Sequence, residues 1–186
     1  MISAARSRPA LRAVAIGAYV LALEWTRAAV AQQPHLTAVA LVVGGFGLVL
    51  TAVGWPRERL GLGTTRFGMR VLGGFALGAV LLLPAAVREG GGPLLPAGLA
   101  LGAVVVSIGE EVAFRGALYA ALEDAGGAPL AIAGSTVLWT IAHLLTHPAE
   151  FLGAVAAAGL LLALWRWACK DLVGPIVAHV LADLAL

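Results

Sequence analysis

The residues that could do chemistry lie in three short stretches of the C-terminal half. They read EEVAFR (Glu110–Arg115), WTIAH (Trp139–His143) and HVLAD (His179–Asp183). Two histidines, a glutamate and a further carboxylate could hold a divalent metal ion such as zinc, together with a water molecule. Without a metal, the same groups could activate water by general-base catalysis and stabilise an oxyanion. Either arrangement predicts hydrolytic chemistry.

The candidate catalytic residues, which are also the candidate metal ligands, are Glu110, His143, His179 and Asp183. His179 and Asp183 are four residues apart and therefore share one face of a helix. His147 has the same spacing from His143, but Pro148 follows it at the end of the predicted span. We therefore expect His147 to be a solvated histidine at the membrane interface, outside the site.

Glu111 and Arg115 are expected to form a supporting ion pair. They are four residues apart with the acid first, which is the favourable order on a helix. Glu110 is turned from Glu111 by about 100° and should stay free for chemistry. Ionisable side chains are costly in an apolar segment, so such a group usually marks a functional site. A buried polar cluster that only locks helices together is the alternative.

The composition predicts an integral membrane protein. Of 186 residues, 61% are hydrophobic and 12% are charged, whereas soluble domains are about 45–50% apolar and about 25% charged. We expect one transmembrane domain over residues 1–186, with its motif-bearing core at about 95–186. The single cysteine, Cys169, excludes an intramolecular disulfide and a cysteine-based zinc cluster. The net charge of +2 gives no support for nucleic-acid binding.

The hydrophobic runs predict an all-α bundle of about seven transmembrane helices. We place the spans at roughly Leu11–Ala31, Leu36–Trp55, Val71–Val87, Leu95–Leu122, Leu130–Leu145, Phe151–Trp167 and Leu172–Leu186. The first run continues past Ala22, which favours an uncleaved span over a signal peptide. Glu24 and Arg27 are expected to pair locally near the interface. Gly45 should allow close helix contact.

The basic residues predict that the N-terminus lies inside. Arginines near the N-terminus and in the loop PRERLGLGTTRFGMR fall on the same side as Arg166 and Lys170, whereas only Arg27 and Arg88 fall on the other. We expect a multi-pass protein of a bacterial cytoplasmic membrane. On straight helices, however, Glu110 and His143 would differ in height by several ångströms.

The three motifs together resemble those of the CPBP family, the CAAX-processing and bacteriocin-processing intramembrane proteases also called the Abi family. The family's motifs are EExxxR, FxxxH and HxxxN or HxxxD, in this order on successive membrane helices. In this chain Trp139 stands where the family usually has phenylalanine. The resemblance covers about Leu95–Leu186 and implies a CAAX-protease-like bundle of transmembrane helices.

The resemblance also implies roles for individual residues. Glu110 with His143 would activate water, and His179 with Asp183 would bind a metal or stabilise the oxyanion. The residues implied to support the site or to bind substrate are Glu111, Arg115 and Trp139. The resemblance leaves open whether the enzyme is a zinc protease or a metal-independent glutamate protease.

We therefore predict an intramembrane endopeptidase that cleaves a membrane-associated, prenylated or precursor peptide, with the lipid bilayer and a peptide or protein substrate as partners. An ion or proton transporter is an alternative, although inverted repeats and broken helices are not evident. A non-catalytic scaffold or bacteriocin self-immunity factor is another. A protease needs Glu110, His143 and His179 around one water-sized space, whereas a proton relay needs them strung across the membrane.

Overall fold

The computed structural model describes residues 2–86 and 95–185, and within these ranges all regular structure is helical. The helices are α1 (Ile2–Ala31), α2 (Thr37–Val49), α3 (Phe67–Ala86), α4 (Ala97–Glu111), α5 (Tyr119–Ala142), α6 (Leu152–Cys169) and α7 (Val173–Ala185). A π-helical segment, Val112–Leu118, joins α4 to α5. The predicted all-α class is confirmed. Val87, Arg88 and Leu186, which entered the predictions above, lie outside the described residues.

Three stretches of the described chain are long and apolar enough to cross a membrane, namely Arg8–Ala31, Ala97–Leu145 and Ala149–Cys169. Three shorter apolar helices accompany them, at Thr37–Ala52, Phe67–Leu83 and Val173–Ala185. The length and composition of these segments are typical of an integral membrane protein. The second long stretch has 49 residues, more than twice the ~20 that one crossing needs, and it folds back on itself.

The fold-back occurs at Gly126 and Gly127, within α5. Gly127 has φ 78° and ψ −176°, a conformation that is essentially restricted to glycine. Pro129 follows, where its fixed φ suits the start of the returning helix. Glu110 lies 16 residues before Gly126, and His143 lies 16 residues after Gly127. At 1.5 Å per residue each is about 24 Å from the turn, so the difference in height expected from straight helices does not arise.

Close backbone contact between α2 and α4 sets the position of the site. A Cβ atom on Gly45 would lie 2.5 Å from the carbonyl oxygen of Val105, and one on Gly109 would overlap the backbone of Gly45. Glycine at both positions lets the two helices approach this closely. The predicted role of Gly45 is confirmed, and Glu110 follows directly after the contact.

The π-helical segment forms the centre of the bundle, and all seven of its residues are buried. Phe114 and Leu118 pack there with Val20 of α1 and Leu48 of α2. Arg166, on α6, is buried as well and donates from Nε to the carbonyl oxygen of Arg115 at 3.1 Å. This arginine therefore ties α6 to the π-helical segment, in addition to contributing to the charge bias of the sequence.

Candidate active site

Glu110 lies at the C-terminal end of α4, with only 4% of its surface exposed. Its Oε2 atom accepts a hydrogen bond from Nε1 of Trp139 at 3.0 Å. Its Oε1 atom lies 3.3 Å from Nη2 of Arg27. Each carboxylate oxygen therefore has a donor from a different helix, and the donors compensate for the hydration that burial removes.

His143 follows directly after α5, and its ring faces Glu110. Its Nδ1 atom is 2.8 Å from the carbonyl oxygen of Trp139. Because a carbonyl oxygen only accepts hydrogen bonds, this contact puts a proton on Nδ1 and, in the neutral ring, a lone pair on Nε2. Nε2 lies 3.8 Å from Oε2 of Glu110. One water molecule can bridge that gap with two ordinary hydrogen bonds of about 2.8 Å.

His179, on α7, completes the cluster. Its Nδ1 atom is 2.9 Å from Oε1 of Glu111. Its Nε2 atom is 4.0 Å from Oε2 of Glu110 and 3.5 Å from Oδ2 of Asp183. The predicted proximity of the three side chains from α4, α5 and α7 is therefore confirmed, whereas their catalytic roles stay predictions.

Asp183 has a partner that the sequence analysis missed. Ser107, on α4, donates from its hydroxyl to Oδ2 of Asp183 at 2.7 Å. Asp183 lies beside Nε2 of His179, while Glu111 binds the opposite nitrogen of the ring. Asp183 therefore stands on the same side of His179 as Glu110. Glu111 is the carboxylate that fixes the orientation of the imidazole.

Glu111 and Arg115 form the predicted ion pair, with Nη1 of Arg115 2.9 Å from Oε1 of Glu111 and both side chains fully buried. Arg115 also donates from Nη2 to the carbonyl oxygen of Gly159 at 3.2 Å. Its guanidinium lies 4.3 Å from the ring centroid of Trp139. One arginine thus contacts α4, α5 and α6, and the prediction that it pairs with Glu111 is confirmed.

Trp139 lies at the centre of these contacts. Its ring meets those of His143 and His179 edge-on, with centroid separations of 4.6 and 5.7 Å. A Cβ atom on Gly159 would lie 2.6 Å from the indole, so glycine on α6 makes room for the large ring. Trp139 thereby orients Glu110 and packs against both histidines. Its predicted contact with substrate remains a prediction.

A cavity of about 410 Å³ opens next to the cluster. Its wall includes Glu110, His143 and His179. Elsewhere the wall is mainly aliphatic, with contributions from α3 and α6 that include Val80 and Leu161. Such a cavity can hold an apolar chain or an extended peptide next to the polar groups.

Residues 92–185 match the protein family described as type II CAAX prenyl endopeptidase, Rce1-like. The chain belongs to this family. No curated protein and no solved structure matches it at a significant level. The region that matches the family begins just before α4 and contains all three motifs. Membership makes the chain a peptidase of the CAAX type and agrees with the resemblance seen in the motifs.

A metal ion would need several His, Cys, Asp or Glu side chains arranged around one point. In the described part of the chain, no group of three or more His, Cys, Asp and Glu side chains converges as metal ligands do. Glu110 is instead hydrogen-bonded by Trp139 and Arg27, and a guanidinium beside a ligand opposes the binding of a cation. The mechanism proposed below therefore uses Glu110 as a base and routes no step through a metal ion.

Two expectations from the sequence need correction. Glu24 and Arg27 do pair, but the pair is not a local one at the interface. Glu24 is only 1% exposed, and Arg27 extends from α1 to Glu110, which is therefore not free of partners. The i, i+3 spacing was visible in the sequence, whereas the contact with Glu110 depends on how α1 packs.

His147 is the second correction. It is half-buried, lines the cavity and stacks on Phe151 with a centroid separation of 5.4 Å. Its ring centroid is 5.2 Å from that of His143. Burial lowers the pKa of His147, and the neighbouring His143 lowers it further. His147 is therefore only partly exposed, and it borders the cavity instead of lying outside the site.

Proposed function

We propose that this protein is an intramembrane endopeptidase that hydrolyses a peptide bond near the C-terminus of a prenylated, membrane-tethered peptide. Glu110 acts as the general base in this proposal. The observation that carries it is the 3.8 Å gap between Oε2 of Glu110 and Nε2 of His143, which opens onto the cavity. A water molecule in this gap would stand beside a base and next to the space for a substrate.

In the first step, the water is held between Glu110 and the Nε2 lone pair of His143. Glu110 removes one proton, and the water oxygen forms a bond to the carbonyl carbon of the substrate. The π electrons of the carbonyl move to its oxygen, which becomes an oxyanion. A protonated His179, with a carboxylate near each ring nitrogen, donates from Nε2 to that oxyanion.

In the second step, the tetrahedral intermediate collapses. The carbonyl re-forms, the carbon–nitrogen bond breaks and the proton held by Glu110 passes to the departing nitrogen. One water is consumed, and the products are a shortened peptide with a new C-terminus and a released C-terminal fragment with a free amine. Glu110 returns to the carboxylate form.

The remaining buried groups hold this arrangement in place. Glu111 accepts the Nδ1–H of His179, and Arg115 neutralises Glu111. Asp183 lies 3.5 Å from Nε2 of His179, where it stabilises the protonated ring. Preorganised groups of this kind need not rearrange when charge develops in the transition state.

The substrate class follows from the family and the cavity. The family comprises prenyl endopeptidases of the CAAX type, and the aliphatic part of the wall suits the isoprenoid chain. A transporter is less well supported, because His143 and His179 each lie within 4.0 Å of Glu110, so the three groups form a cluster and not a row across the membrane. A non-catalytic scaffold remains an outcome of the test below.

The test uses the purified protein in liposomes with a synthetic CAAX peptide that carries a farnesyl group, and mass spectrometry to identify the products. We expect a single cleavage close to the prenylated cysteine. Glu110→Gln keeps the size of the side chain and removes the base, so the rate should fall by about 10²–10⁴-fold. The same peptide without the farnesyl group should be cleaved much more slowly.

The matched control is Glu150→Gln, because Glu150 is exposed in the turn before α6. It should cleave like the unmodified protein. Thermal melting in detergent shows whether each variant is folded. A folded Glu110→Gln protein with full activity would contradict the mechanism, and no cleavage of either peptide by the unmodified protein would favour the scaffold.

A further inference from the structure

We propose that Arg27 is a positioning residue for the general base Glu110, supplied by α1 from outside the region that carries the family's motifs. The inference rests on the function proposed above, since it assigns Arg27 a part in the same reaction. Arg27 lies 65 positions before residue 92, where the family match begins.

The contact is direct. Nη2 of Arg27 is 3.3 Å from Oε1 of Glu110, and only 10% of the arginine side chain is exposed. Trp139 binds the other oxygen, Oε2, at 3.0 Å. The two donors approach from different helices and fix the plane of the carboxylate. Oε2 then faces His143, where the attacking water is proposed to stand.

The packing around Arg27 makes room for this contact. A Cβ atom on Gly44 of α2 would lie 2.6 Å from Cδ of Arg27, so the arginine stem crosses α2 where that helix has no side chain. Glu24 binds Nε of Arg27 at 3.0 Å from one turn earlier on α1. Glu24 also contacts Nη2, so the nitrogen of Arg27 that reaches Glu110 is held by Glu24 as well.

The charge of Arg27 has a role that a neutral donor could not fill. A carboxylate in an apolar interior loses its hydration, and a nearby cation or several hydrogen bonds must compensate for that loss. Arg115, the other buried arginine near the site, is bonded to Glu111. Arg27 is therefore the guanidinium in contact with Glu110 in the described part of the chain, and its charge is shared between Glu24 and Glu110.

The experiment compares kcat and KM of Arg27 variants on the farnesylated peptide. In Arg27→Gln, kcat should fall by about 10–100-fold, as expected when a catalytic group is misplaced by about an ångström. KM should change by less than twofold, because Arg27 acts through Glu110. Adding guanidinium ion at millimolar concentration to Arg27→Ala should restore part of kcat, since it can enter the space that the side chain vacates.

The control for Arg27→Gln is Arg8→Gln, which removes an exposed guanidinium from the same helix and should leave both constants unchanged. Arg27→Gln leaves Glu24 buried without its partner and could unfold. In that case the double variant Glu24→Gln with Arg27→Gln removes both charges together, and the same loss of kcat is expected from it.

Unchanged kcat in a folded Arg27→Gln or double variant would overturn the proposal. So would a loss confined to KM, because Arg27 would then be a substrate contact, or a loss in Arg27→Ala that guanidinium does not restore. These outcomes are distinct from failure of the proposed function, which is judged by comparing the unmodified protein with Glu110→Gln.

Discussion

His179 donates from Nδ1 to Oε1 of Glu111 across 2.9 Å, although 68 residues separate them in the chain. The same carboxylate oxygen is 2.9 Å from Nη1 of Arg115. Glu111 therefore neutralises the arginine and orients the histidine at once. Adjacent glutamates on α4 thus have different partners: Glu110 faces the cavity, and Glu111 faces the interior of the bundle.

Arg115→Ala should strongly destabilise the protein. It leaves Glu111 buried without its cation, which typically costs about 3–5 kcal/mol. The measurement is the free energy of unfolding in mild detergent, followed by helical circular dichroism. Arg57→Ala removes an exposed arginine and serves as the control. Equal stability of the two variants would show that the Glu111–Arg115 pair is solvated.

Trp139→Phe should lower activity and preserve the fold. Phenylalanine keeps an aromatic ring against the two histidines but cannot donate a hydrogen bond to Glu110. A hydrogen bond to a charged group contributes about 1.5–3 kcal/mol, so we expect kcat to fall by at least about tenfold. Trp167→Phe, at the exposed end of α6, is the control. A kcat like that of the unmodified protein would mean that Arg27 alone suffices to orient Glu110.

Gly127→Ala should destabilise the hairpin between Glu110 and His143. The residue has φ 78°, and side chains other than glycine are strained there by about 1–3 kcal/mol. Gly153→Ala is the matched control, because a Cβ atom at that helical position would meet nothing within 4 Å. A lower melting temperature is expected for Gly127→Ala only. Equal melting of the two variants would show that the turn tolerates a side chain.

His147 should make the protein less stable in mild acid. Burial lowers its pKa in the folded state below 6.5, so the unfolded chain binds the proton more readily. Its contribution is therefore favourable above pH 6.5 and is lost as the pH falls below that value. The charges that act on it are those of His143, Glu110, Asp183 and Arg27.

The measurement for His147 is the melting temperature between pH 7.5 and 5.5. His147→Gln should show a smaller decrease than the unmodified protein, whereas His35→Gln, an exposed histidine in the turn after α1, should not differ from it. Identical decreases in all three proteins would show that His147 does not titrate differently on folding.

The sequence by itself determined the all-α membrane fold, the approximate number of spans and the order of the three motifs. These features are local: an apolar run of about 20 residues specifies a span, and side chains four residues apart share a helix face. For the same reason the pairing of Glu111 with Arg115 was predictable. The break between the predicted spans Leu95–Leu122 and Leu130–Leu145 contains Gly126 and Gly127, and the freedom of glycine to form such a turn is a property of the residue itself.

Only the tertiary structure decided which helix faces meet. The contact of Arg27 with Glu110 depends on the rotation of α1 and on the missing side chain of Gly44. The contact of His147 with Phe151 and its place in the cavity wall likewise depend on how the chain folds after α5. Contacts between helices are set by the packing of whole surfaces, so the spacing of residues within one helix could show that Arg27 pairs with Glu24 but not that it also binds Glu110.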